Sequence, residues 1–378
     1  MNKKPKIIAM YLPQYHQIPE NDEFWGEGFT DWVTVKNAKP FFEGHQQPRV
    51  PLNENYYDLS RKENVEWQCN LAKEYGIYGF GIYHYWFNND KNLLTKPAEI
   101  ILENEDIDTH FFFAWDNMSW KRSWSNVRMA NDWAPLLDDK KEKGPAILIP
   151  YILGSKEDWR NHYDYLLPYF KDKRYIRKEN KPVFMILHHN KDVKKMCEYW
   201  EELAKEDGFD GLFFIFCYRN RFRYTGLPHG EYIFKYEPSF SGWVSESLID
   251  KFLRKVYAKF HNYGGLEIVC DYDKTWKRLL RNAKKMSQKQ IYHGAFVSFD
   301  DTPRRGKKAR LFVNSSPEKF ESYLSQLVEI TALQKKEFIF VIAWNEWGEG
   351  AVLEPDNCYG VRYLQAVKNV VEKADKDM

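Results

Sequence analysis

Cysteine is scarce in this 378-residue sequence, and neither sign of charge dominates it. The five cysteines, at positions 69, 197, 217, 270 and 358, form no CxxC pair and are odd in number, which argues against a disulfide framework or a zinc ribbon. A reducing compartment suits them, so we expect a cytoplasmic protein. Lys and Arg number 56 against 54 Asp and Glu, so no overall field favours nucleic acid or an anionic membrane as partner.

Long apolar runs and most of the well-known catalytic motifs are also missing. No run is long enough to cross a bilayer, and residues 1–6 lead directly into a strand-like stretch rather than a signal peptide. The sequence has no GxGxxG or GxxxxGK[ST] phosphate loop, no HExxH zinc motif and no GxSxG nucleophile elbow. His188 and His189 are adjacent rather than spaced along a helix face, so we expect neither a metal nor another cofactor.

Aromatic residues, by contrast, are abundant: 14 Trp, 25 Tyr and 26 Phe. Most of them should pack in the core. The remainder suit a cleft in which rings stack on the C–H faces of sugars while Asn, Asp and His bind hydroxyls. The composition therefore favours a carbohydrate ligand.

Short β-branched or aromatic runs alternate with helical stretches along the whole chain, which is typical of βα units. Eight candidate strands predict an α/β fold, a (β/α)8 TIM barrel forming a single domain over residues 1–378, with long βα loops over its C-terminal mouth. Residues 116–153 and 218–230 are the longest loops, and 146–153 is a candidate extra strand. The predicted barrel strands are 7–12, 79–85, 111–115, 182–187, 212–217, 232–236, 294–299 and 338–343.

Candidate helices occupy the intervals between these strands and the end of the chain. The first has apolar positions at Val65, Leu71 and Ala72 with charges between them, as an amphipathic outer helix should. The predicted helices are 61–75, 96–103, 157–170, 193–206, 245–260, 273–285, 318–335 and 359–373.

The active site of such a barrel forms at the C-terminal ends of its strands. Trp, Tyr, His, Asn and carboxylates recur after nearly every predicted strand, a set that suits a sugar. For His84, a hydrogen-bonded core position is an equal alternative. The candidate substrate-binding residues are Tyr11, His16, Trp25, His84, Tyr85, Trp86, Trp115, Asp116, Asn117, Trp120, Glu237, Asp300, Asn345 and Trp347.

The loop after the seventh predicted strand carries the densest charges. Arg304-Arg305 and Lys307-Lys308 are more typical of a solvated loop than of a polyanion site, although an anionic sugar remains an alternative. Asp300-Asp301 resembles the paired acids that bind a divalent metal in some nucleotide-sugar transferases. Such a pair is nevertheless common in ordinary loops, so we do not predict a metal site from it.

Glu346 and Glu349 are the predicted catalytic residues. They follow the last strand, between Trp344 and Trp347, where Gly348 and Gly350 allow a turn that directs both carboxyl groups to one point. Glycosidic cleavage needs one carboxyl to protonate the leaving oxygen and a second to act as base or nucleophile. Apolar surroundings from the two tryptophans would keep one of them protonated. Two exposed loop glutamates are the alternative.

Five segments in one order resemble the WbsX-like family of bacterial polysaccharide loci, itself similar to the endo-α-mannosidases of glycoside hydrolase family 99. The resemblance covers essentially the whole chain. The segments are Met10-Tyr-Leu-Pro-Gln-Tyr-His16, Asn21-Asp-Glu-Phe-Trp-Gly-Glu-Gly-Phe-Thr-Asp-Trp32, Tyr83-His-Tyr-Trp-Phe-Asn88, Tyr165-Leu-Leu-Pro-Tyr-Phe170 and Trp344-Asn-Glu-Trp-Gly-Glu-Gly350, followed by Leu353-Glu-Pro355.

This resemblance implies a barrel that cleaves glycosidic bonds with retention and without a metal. By analogy, Glu346 is the base on the substrate's 2-hydroxyl, giving a 1,2-anhydro sugar, and Glu349 is the general acid/base at the leaving oxygen. The segment from Trp115 to Trp124 departs from the family pattern, because Met118 stands where the family has Glu and Asp116 adds an acid. The resemblance therefore does not extend to substrate contacts in that loop.

Three functions follow as hypotheses: a retaining glycoside hydrolase, a glycosyltransferase of O-antigen or capsular polysaccharide biosynthesis, and a non-catalytic sugar-binding protein. We favour them in that order, because no phosphate cradle supports the transferase. The expected partner is an oligosaccharide or polysaccharide substrate, with a polysaccharide-assembly complex as a further candidate and neither nucleic acid nor membrane insertion. The sugar and linkage are not predicted.

Overall fold

The predicted barrel is present in the computed structural model, which describes residues 4–121, 147–218, 232–266 and 268–377. Eight parallel strands pair in chain order and the last pairs with the first, which closes the sheet into a (β/α)8 barrel. Numbered along the chain, the strands are β1 (Lys6–Tyr11), β2 (Gly79–Asn88), β3 (His110–Trp115), β4 (Lys181–Ile186), β5 (Phe213–Tyr218), β6 (Tyr232–Lys235), β7 (Ile291–Phe296) and β8 (Phe338–Ile342).

The strands are apolar on both faces because one face fills the barrel and the other meets the surrounding helices. Every residue of β8 is fully buried. Its parallel pairing with β1 sets Ile7 opposite Ile339 and Ala9 opposite Val341. At the start of β2, a Cβ on Gly79 would lie 2.2 Å from the carbonyl oxygen of His110, so the close approach of β3 requires glycine there.

The outer helices match the eight predicted ones, with small shifts at their ends. The largest shifts are in two helices. The helix predicted from 245 begins at Leu248, where Ser247 caps it by accepting the N–H of Asp250. The last helix, predicted over 359–373, runs from Arg362 to Asp377. The helices are α1 (Lys62–Glu74), α2 (Lys96–Glu103), α3 (Lys156–Lys171), α4 (Lys191–Glu206), α5 (Leu248–Phe260), α6 (Tyr272–Lys285), α7 (Pro317–Leu333) and α8 (Arg362–Asp377).

Shorter elements lie in the loops. Three short helices, Pro19–Trp25, Asp31–Lys36 and Thr302–Arg305, precede β2 or follow β7. The described residues include no helix that is both long and apolar enough to span a bilayer.

The seventh strand is displaced from its predicted position. It runs over Ile291–Phe296 rather than 294–299, because Phe299 leaves the barrel and its carbonyl accepts the N–H of Phe312. Phe312 belongs to Arg310–Val313, which pairs in parallel with Ile268–Asp271 outside the barrel. This outer pair was not predicted, and it anchors the far end of the loop after β7.

The predicted excursion after β3 begins with a short antiparallel ladder. Trp120–Lys121 pairs with Ile147–Ile149, so part of the predicted strand over 146–153 is confirmed. Residues 122–146 lie outside the described part of the chain, as does 219–231, which includes nearly all of the second predicted loop.

Candidate active site

A cavity of about 630 Å³ opens at the C-terminal ends of the strands. This is the barrel face where the sequence predicts the site. Its lining combines aromatic rings with charged groups of both signs, a mixture suited to a polar ligand with apolar faces. The charged and aromatic side chains that line it are Tyr83, Tyr85, Asp116, Trp120, Lys121, His188, Tyr236, Trp243, Phe299, Asp301, Arg304, Arg305, Arg310, Glu346 and Glu349.

The loop after β8 turns Glu346 and Glu349 into this cavity. The Asn345 side chain exchanges two hydrogen bonds with the backbone of Leu12, donating to its carbonyl at 2.9 Å and accepting its N–H at 2.7 Å. These bonds tie the end of β8 to the end of β1. Asn345–Glu346 then pairs with Ala351–Val352, and Gly350 closes the turn at φ +59°.

Arg304 lies at the centre of three carboxylates. Its Nη1 donates to Glu349 Oε1 at 2.9 Å, and its Nη2 lies 3.0 Å from Asp31 Oδ2 and 3.4 Å from Glu346 Oε2. Burial alone would lower the pKa of Arg304, but attraction to the three carboxylates raises it well above its ordinary value. One guanidinium therefore holds both predicted catalytic groups in fixed positions.

Tyr15 supports this cluster from the loop after β1. Its hydroxyl donates to the carbonyl of Asn345 at 2.7 Å, accepts the N–H of Trp347 at 3.2 Å, and lies 3.3 Å from Asp31 Oδ2. Burial raises the pKa of Tyr15, and the nearby charges of Asp31 and Glu346 raise it further. The phenol therefore remains a neutral donor.

Gly348 leaves the space that Arg304 occupies. A Cβ at this position would lie 2.6 Å from Arg304 Nε and 2.8 Å from Asp31 Oδ2, closer than side chains pack. The first glycine of the motif thus admits the guanidinium between Asp31 and the glutamates.

Comparison with known proteins identifies the family of the chain. A model described as Glycosyltransferase WbsX matches residues 7–367. The chain belongs to this family.

Curated relatives of this WbsX chain are two "Uncharacterized protein WxcX" sequences from Xanthomonas campestris pv. campestris, each 28% identical over 97% of this chain. The chain spans about half the length of these relatives, 50% in each case. A solved GH99 endo-alpha-mannosidase from Bacteroides thetaiotaomicron is 14% identical, with a TM-score of 0.55 over 98% of this chain and 97% of that one. A "Glycoside hydrolase-like protein" has a TM-score of 0.60 at 11% identity over 98% and 94%. At these identities the solved structures support the barrel fold.

In this WbsX-family barrel, five of the predicted site residues line the cavity: Tyr85, Asp116, Trp120, Glu346 and Glu349. Asp116, the acid that departs from the family pattern, pairs with His188, its Oδ1 lying 3.2 Å from His188 Nε2. Met118 also lines the cavity. The departure from the family pattern therefore lies on the cavity wall itself.

Several aromatic and histidine residues that were predicted to bind substrate pack behind the cavity wall. His84 Nε2 lies 2.8 Å from His162 Nε2, and burial lowers the pKa of His84 to about 3. Trp86 stacks on His162 with centroids 4.4 Å apart, and Trp115 donates its indole N–H to the carbonyl of Trp86 at 2.9 Å. His84 therefore occupies the hydrogen-bonded core position that was predicted as its alternative to a substrate contact.

Asn117 and Tyr11 also make internal contacts. Asn117 exchanges two hydrogen bonds with the backbone of His188, at 2.7 and 2.9 Å, and so positions a histidine that does line the cavity. Tyr11 donates to Gln68 Oε1 at 2.7 Å. His16 is buried with its Nδ1 lacking a partner among the described residues, and Trp25 packs against Phe29.

The predicted acids Glu237 and Asp300 do not line the cavity. Glu237 accepts the hydroxyl of Ser241 at 2.7 Å, and burial raises its pKa to about 8. Asp300 accepts from Gln47 at 2.6 Å and lies 2.8 Å from His45 Nε2. Within the described ranges, no three His, Cys, Asp or Glu side chains are grouped as metal ligands.

Sequence reasoning missed Arg304, Asp31 and Tyr15 as site residues. Arg304 was assigned to a solvated loop, and that interpretation was wrong, because its side chain is only 9% exposed. Asp31 lies in the segment that ends at Trp32, one of those that carry the family resemblance, and this position could have identified it.

Trp347 of the last motif contacts a further carboxylate, Glu354, instead of isolating the predicted catalytic pair. Trp347 donates its indole N–H to Glu354 Oε2 at 2.7 Å, while Tyr57 and Gln68 donate to the same carboxyl group at 2.7 and 2.6 Å. Burial raises the pKa of Glu354 to about 7, although these hydrogen bonds oppose the shift. The apolar surroundings predicted for Glu346 and Glu349 are thus replaced by the charge of Arg304.

This Glu354 environment predicts a pH-dependent stability. Between about pH 4.5 and 7 the folded chain keeps a proton on Glu354 that the unfolded chain loses, so the free energy of unfolding should fall as pH rises through this window. The loss should be at most about 3 kcal/mol. Thermal unfolding of wild type and Glu354→Gln across this window measures it as the difference between the two curves. A constant difference would contradict the prediction.

Proposed function

We propose that this chain is a retaining glycoside hydrolase of the endo-α-mannosidase type, with Glu346 and Glu349 as its catalytic residues. The observation that carries the proposal is that both carboxyl groups line one cavity and both contact Arg304. Glycosidic cleavage requires two carboxyl groups, one to protonate the leaving oxygen and one to act as base or nucleophile, and this pair lies at the mouth of the barrel.

In the first step, Glu346 takes the proton of the substrate's 2-hydroxyl and the 2-oxygen attacks the anomeric carbon. The bond to the leaving oxygen breaks as Glu349 transfers its proton to that oxygen, which leaves a 1,2-anhydro sugar. In the second step Glu349 takes a proton from water, the water oxygen attacks the anomeric carbon, and the 2-oxygen recovers its proton from Glu346. Two inversions give net retention.

The exposures of the two glutamates suit these roles. Glu349 has 26% of its side chain exposed and Glu346 has 7%. A group that exchanges protons with a leaving oxygen and with water needs solvent access, whereas a base on a substrate hydroxyl does not. Tyr83, Tyr85, Trp120 and Tyr236 provide rings for stacking on sugar faces.

A glycosyltransferase is the second candidate, and the family description favours it. The same two steps produce transfer if an acceptor hydroxyl replaces water in the second step. The cavity opens at the barrel mouth, so its position is compatible with either acceptor.

One experiment separates the candidates. The wild-type chain is incubated with α-linked manno-oligosaccharides, with UDP-glucose and GDP-mannose present or absent, and products are followed by proton NMR. We expect free reducing sugar that appears first as the α anomer and without a nucleotide sugar. Product formation that requires a nucleotide sugar would overturn the hydrolase proposal in favour of transfer. Binding of the oligosaccharides without any product would overturn both enzyme proposals in favour of a non-catalytic sugar-binding protein.

A further inference from the structure

The loop after β7 brings three arginines to the cavity, and two of them are neutralised there. Arg304 contacts Asp31, Glu346 and Glu349, while Arg305 Nε lies 2.9 Å from Asp301 Oδ2. Arg310 differs from both. Within the described part of the chain its guanidinium forms no salt bridge, although the charges of Asp301 and Glu349 act on it. Its guanidinium carbon lies 4.4 Å from the ring centroid of Trp243.

Arg310 is nevertheless held in place. Its N–H donates to Asp301 Oδ1 at 2.5 Å, and its carbonyl accepts the N–H of Asp301 at 3.2 Å. It also begins the strand Arg310–Val313, paired opposite Ile268. Contact with the Trp243 ring helps to fix the position of the guanidinium, and both side chains line the cavity.

We propose that Arg310, supported by Trp243, binds an anionic group of the substrate, a carboxylate or a phosphate ester oxygen. A planar guanidinium presents two parallel N–H groups, which match two oxygens of either anion. Burial lowers the pKa of Arg310, consistent with a cation that has lost part of its hydration and gains from an anionic ligand. The inference rests on the proposed function, because it assigns the substrate class of the same cavity: an acidic rather than a neutral glycan.

Calorimetric titration of the Glu349→Gln protein, in which turnover is blocked, tests the assignment with two matched pairs of probes. Tri-galacturonic acid is compared with its methyl ester, which lacks the charges and adds a methyl group to each carboxyl, and mannose 6-phosphate with mannose. We expect at least one anionic probe to bind about 10-fold more tightly than its neutral partner. The pair that shows the preference identifies the anion as carboxylate or phosphate.

Arg310→Gln in the same background should abolish this preference while leaving affinity for the neutral probe unchanged. Lys307→Gln, an exposed change on the same loop, should retain it, and Arg310→Lys should retain part of it. Unfolding curves of all variants establish that the loop remains folded. A preference that survives Arg310→Gln, or its absence from the parent protein, would overturn the assignment.

Failure of the anion subsite and failure of the proposed function are distinguishable. Binding in the Glu349→Gln protein does not depend on turnover. If the charged probes bind through Arg310 while wild type cleaves no glycoside, the anion subsite stands and the hydrolase proposal fails. If wild type cleaves neutral glycans and the probes show no charge preference, the hydrolase proposal stands and the anion subsite fails.

A second observation concerns helix α5, whose outer face is apolar and exposed. Leu248, Ile249, Phe252, Leu253 and Phe260 are 82, 72, 67, 53 and 81% exposed. Their spacing puts them on one side of the helix. A contiguous apolar surface of this kind marks an interaction site rather than scattered surface residues.

The charges on this surface are cationic. Lys251 and Lys255 are exposed beside the apolar side chains. Asp250 Oδ2 lies 3.3 Å from Arg278, so the acid at the start of the helix is paired. Apolar side chains flanked by lysines are typical of helices that lie in the interface of an anionic bilayer.

We infer that α5 binds the surface of a membrane that contains anionic lipids. Val244, which lines the cavity, precedes the first residue of the helix by only four positions. Docking through α5 would therefore bring the cavity mouth close to glycans at a membrane surface.

Sedimentation with phosphatidylcholine vesicles, with and without phosphatidylglycerol, tests this surface. We expect binding only to the anionic vesicles, its loss in Leu248→Ser/Phe252→Ser, and about a 5-fold weaker partition for each of Lys251→Gln and Lys255→Gln. Leu333→Ser is the matched control, because Leu333 is 74% exposed on α7. Equal binding by the serine variant would overturn the inference, as would vesicle-independent dimers that the serine variant converts to monomers.

Discussion

Glu349→Gln should lower kcat for glycosidic cleavage by about 10²–10⁴-fold while oligosaccharide affinity stays within a few-fold of wild type. The amide keeps the size of the carboxyl group, and its oxygen can still accept from Arg304 Nη1, which donates to Glu349 at 2.9 Å. It cannot deliver a proton to the leaving oxygen. Initial rates with α-linked manno-oligosaccharides and titration of the same substrates separate these two effects.

The leaving group distinguishes the roles of the two glutamates. An aryl glycoside with an acidic phenol needs no proton at its leaving oxygen, so its first step should be much less impaired in Glu349→Gln. Glu346→Gln should lose activity toward both kinds of substrate, because the 2-hydroxyl must be deprotonated in either case. A pre-steady-state burst of phenol measures the first step directly.

A surface variant controls for unspecific effects of the substitution. Glu329→Gln, on α7 with 61% of its side chain exposed, should keep wild-type rates. If the aryl substrate restores the burst in Glu346→Gln instead, the two glutamates have exchanged roles. If both variants turn over normally, neither is catalytic.

The barrel was predictable because its information is local and repeated. A strand buried on both faces needs an unbroken apolar run, and β8 provides one in which every residue is buried. The seventh strand was misplaced because Val297 and Phe299 are as apolar as the strand itself. Their pairing is decided by contacts distant in sequence, such as that between Phe299 and Phe312.

The site was predictable only where residues directly follow a strand. Glu346 and Glu349 do so, and they line the cavity as expected. Arg304 lies eight residues beyond the end of β7, in a loop whose path depends on the outer strand Arg310–Val313. Asp300 and Asp301 could not be distinguished from the sequence either, because no periodicity separates neighbouring loop residues. Of the two, only Asp301 lines the cavity.

Removal of the Arg304 charge should have the largest effect on stability. Arg304→Met leaves Asp31, Glu346 and Glu349 as buried or half-buried carboxylates without their shared cation. Breaking a buried ion pair from one side costs about 3–5 kcal/mol, so the variant should unfold at markedly lower temperature and lose turnover. Calorimetric unfolding and initial rates measure the two losses.

Two further variants separate charge from geometry. Asp31→Asn added to Arg304→Met removes one uncompensated charge and should return part of the lost stability but no activity. Gly348→Ala leaves every charge in place, yet its Cβ would lie 2.6 Å from Arg304 Nε and must displace the guanidinium. It should therefore reduce turnover with a smaller loss of stability, about 1–3 kcal/mol.

Each variant has an outcome that would contradict its prediction. Wild-type activity in Gly348→Ala would mean that catalysis does not depend on Arg304 holding the two glutamates. Additive stability losses in Asp31→Asn/Arg304→Met would mean that the charges of Asp31 and Arg304 are not coupled.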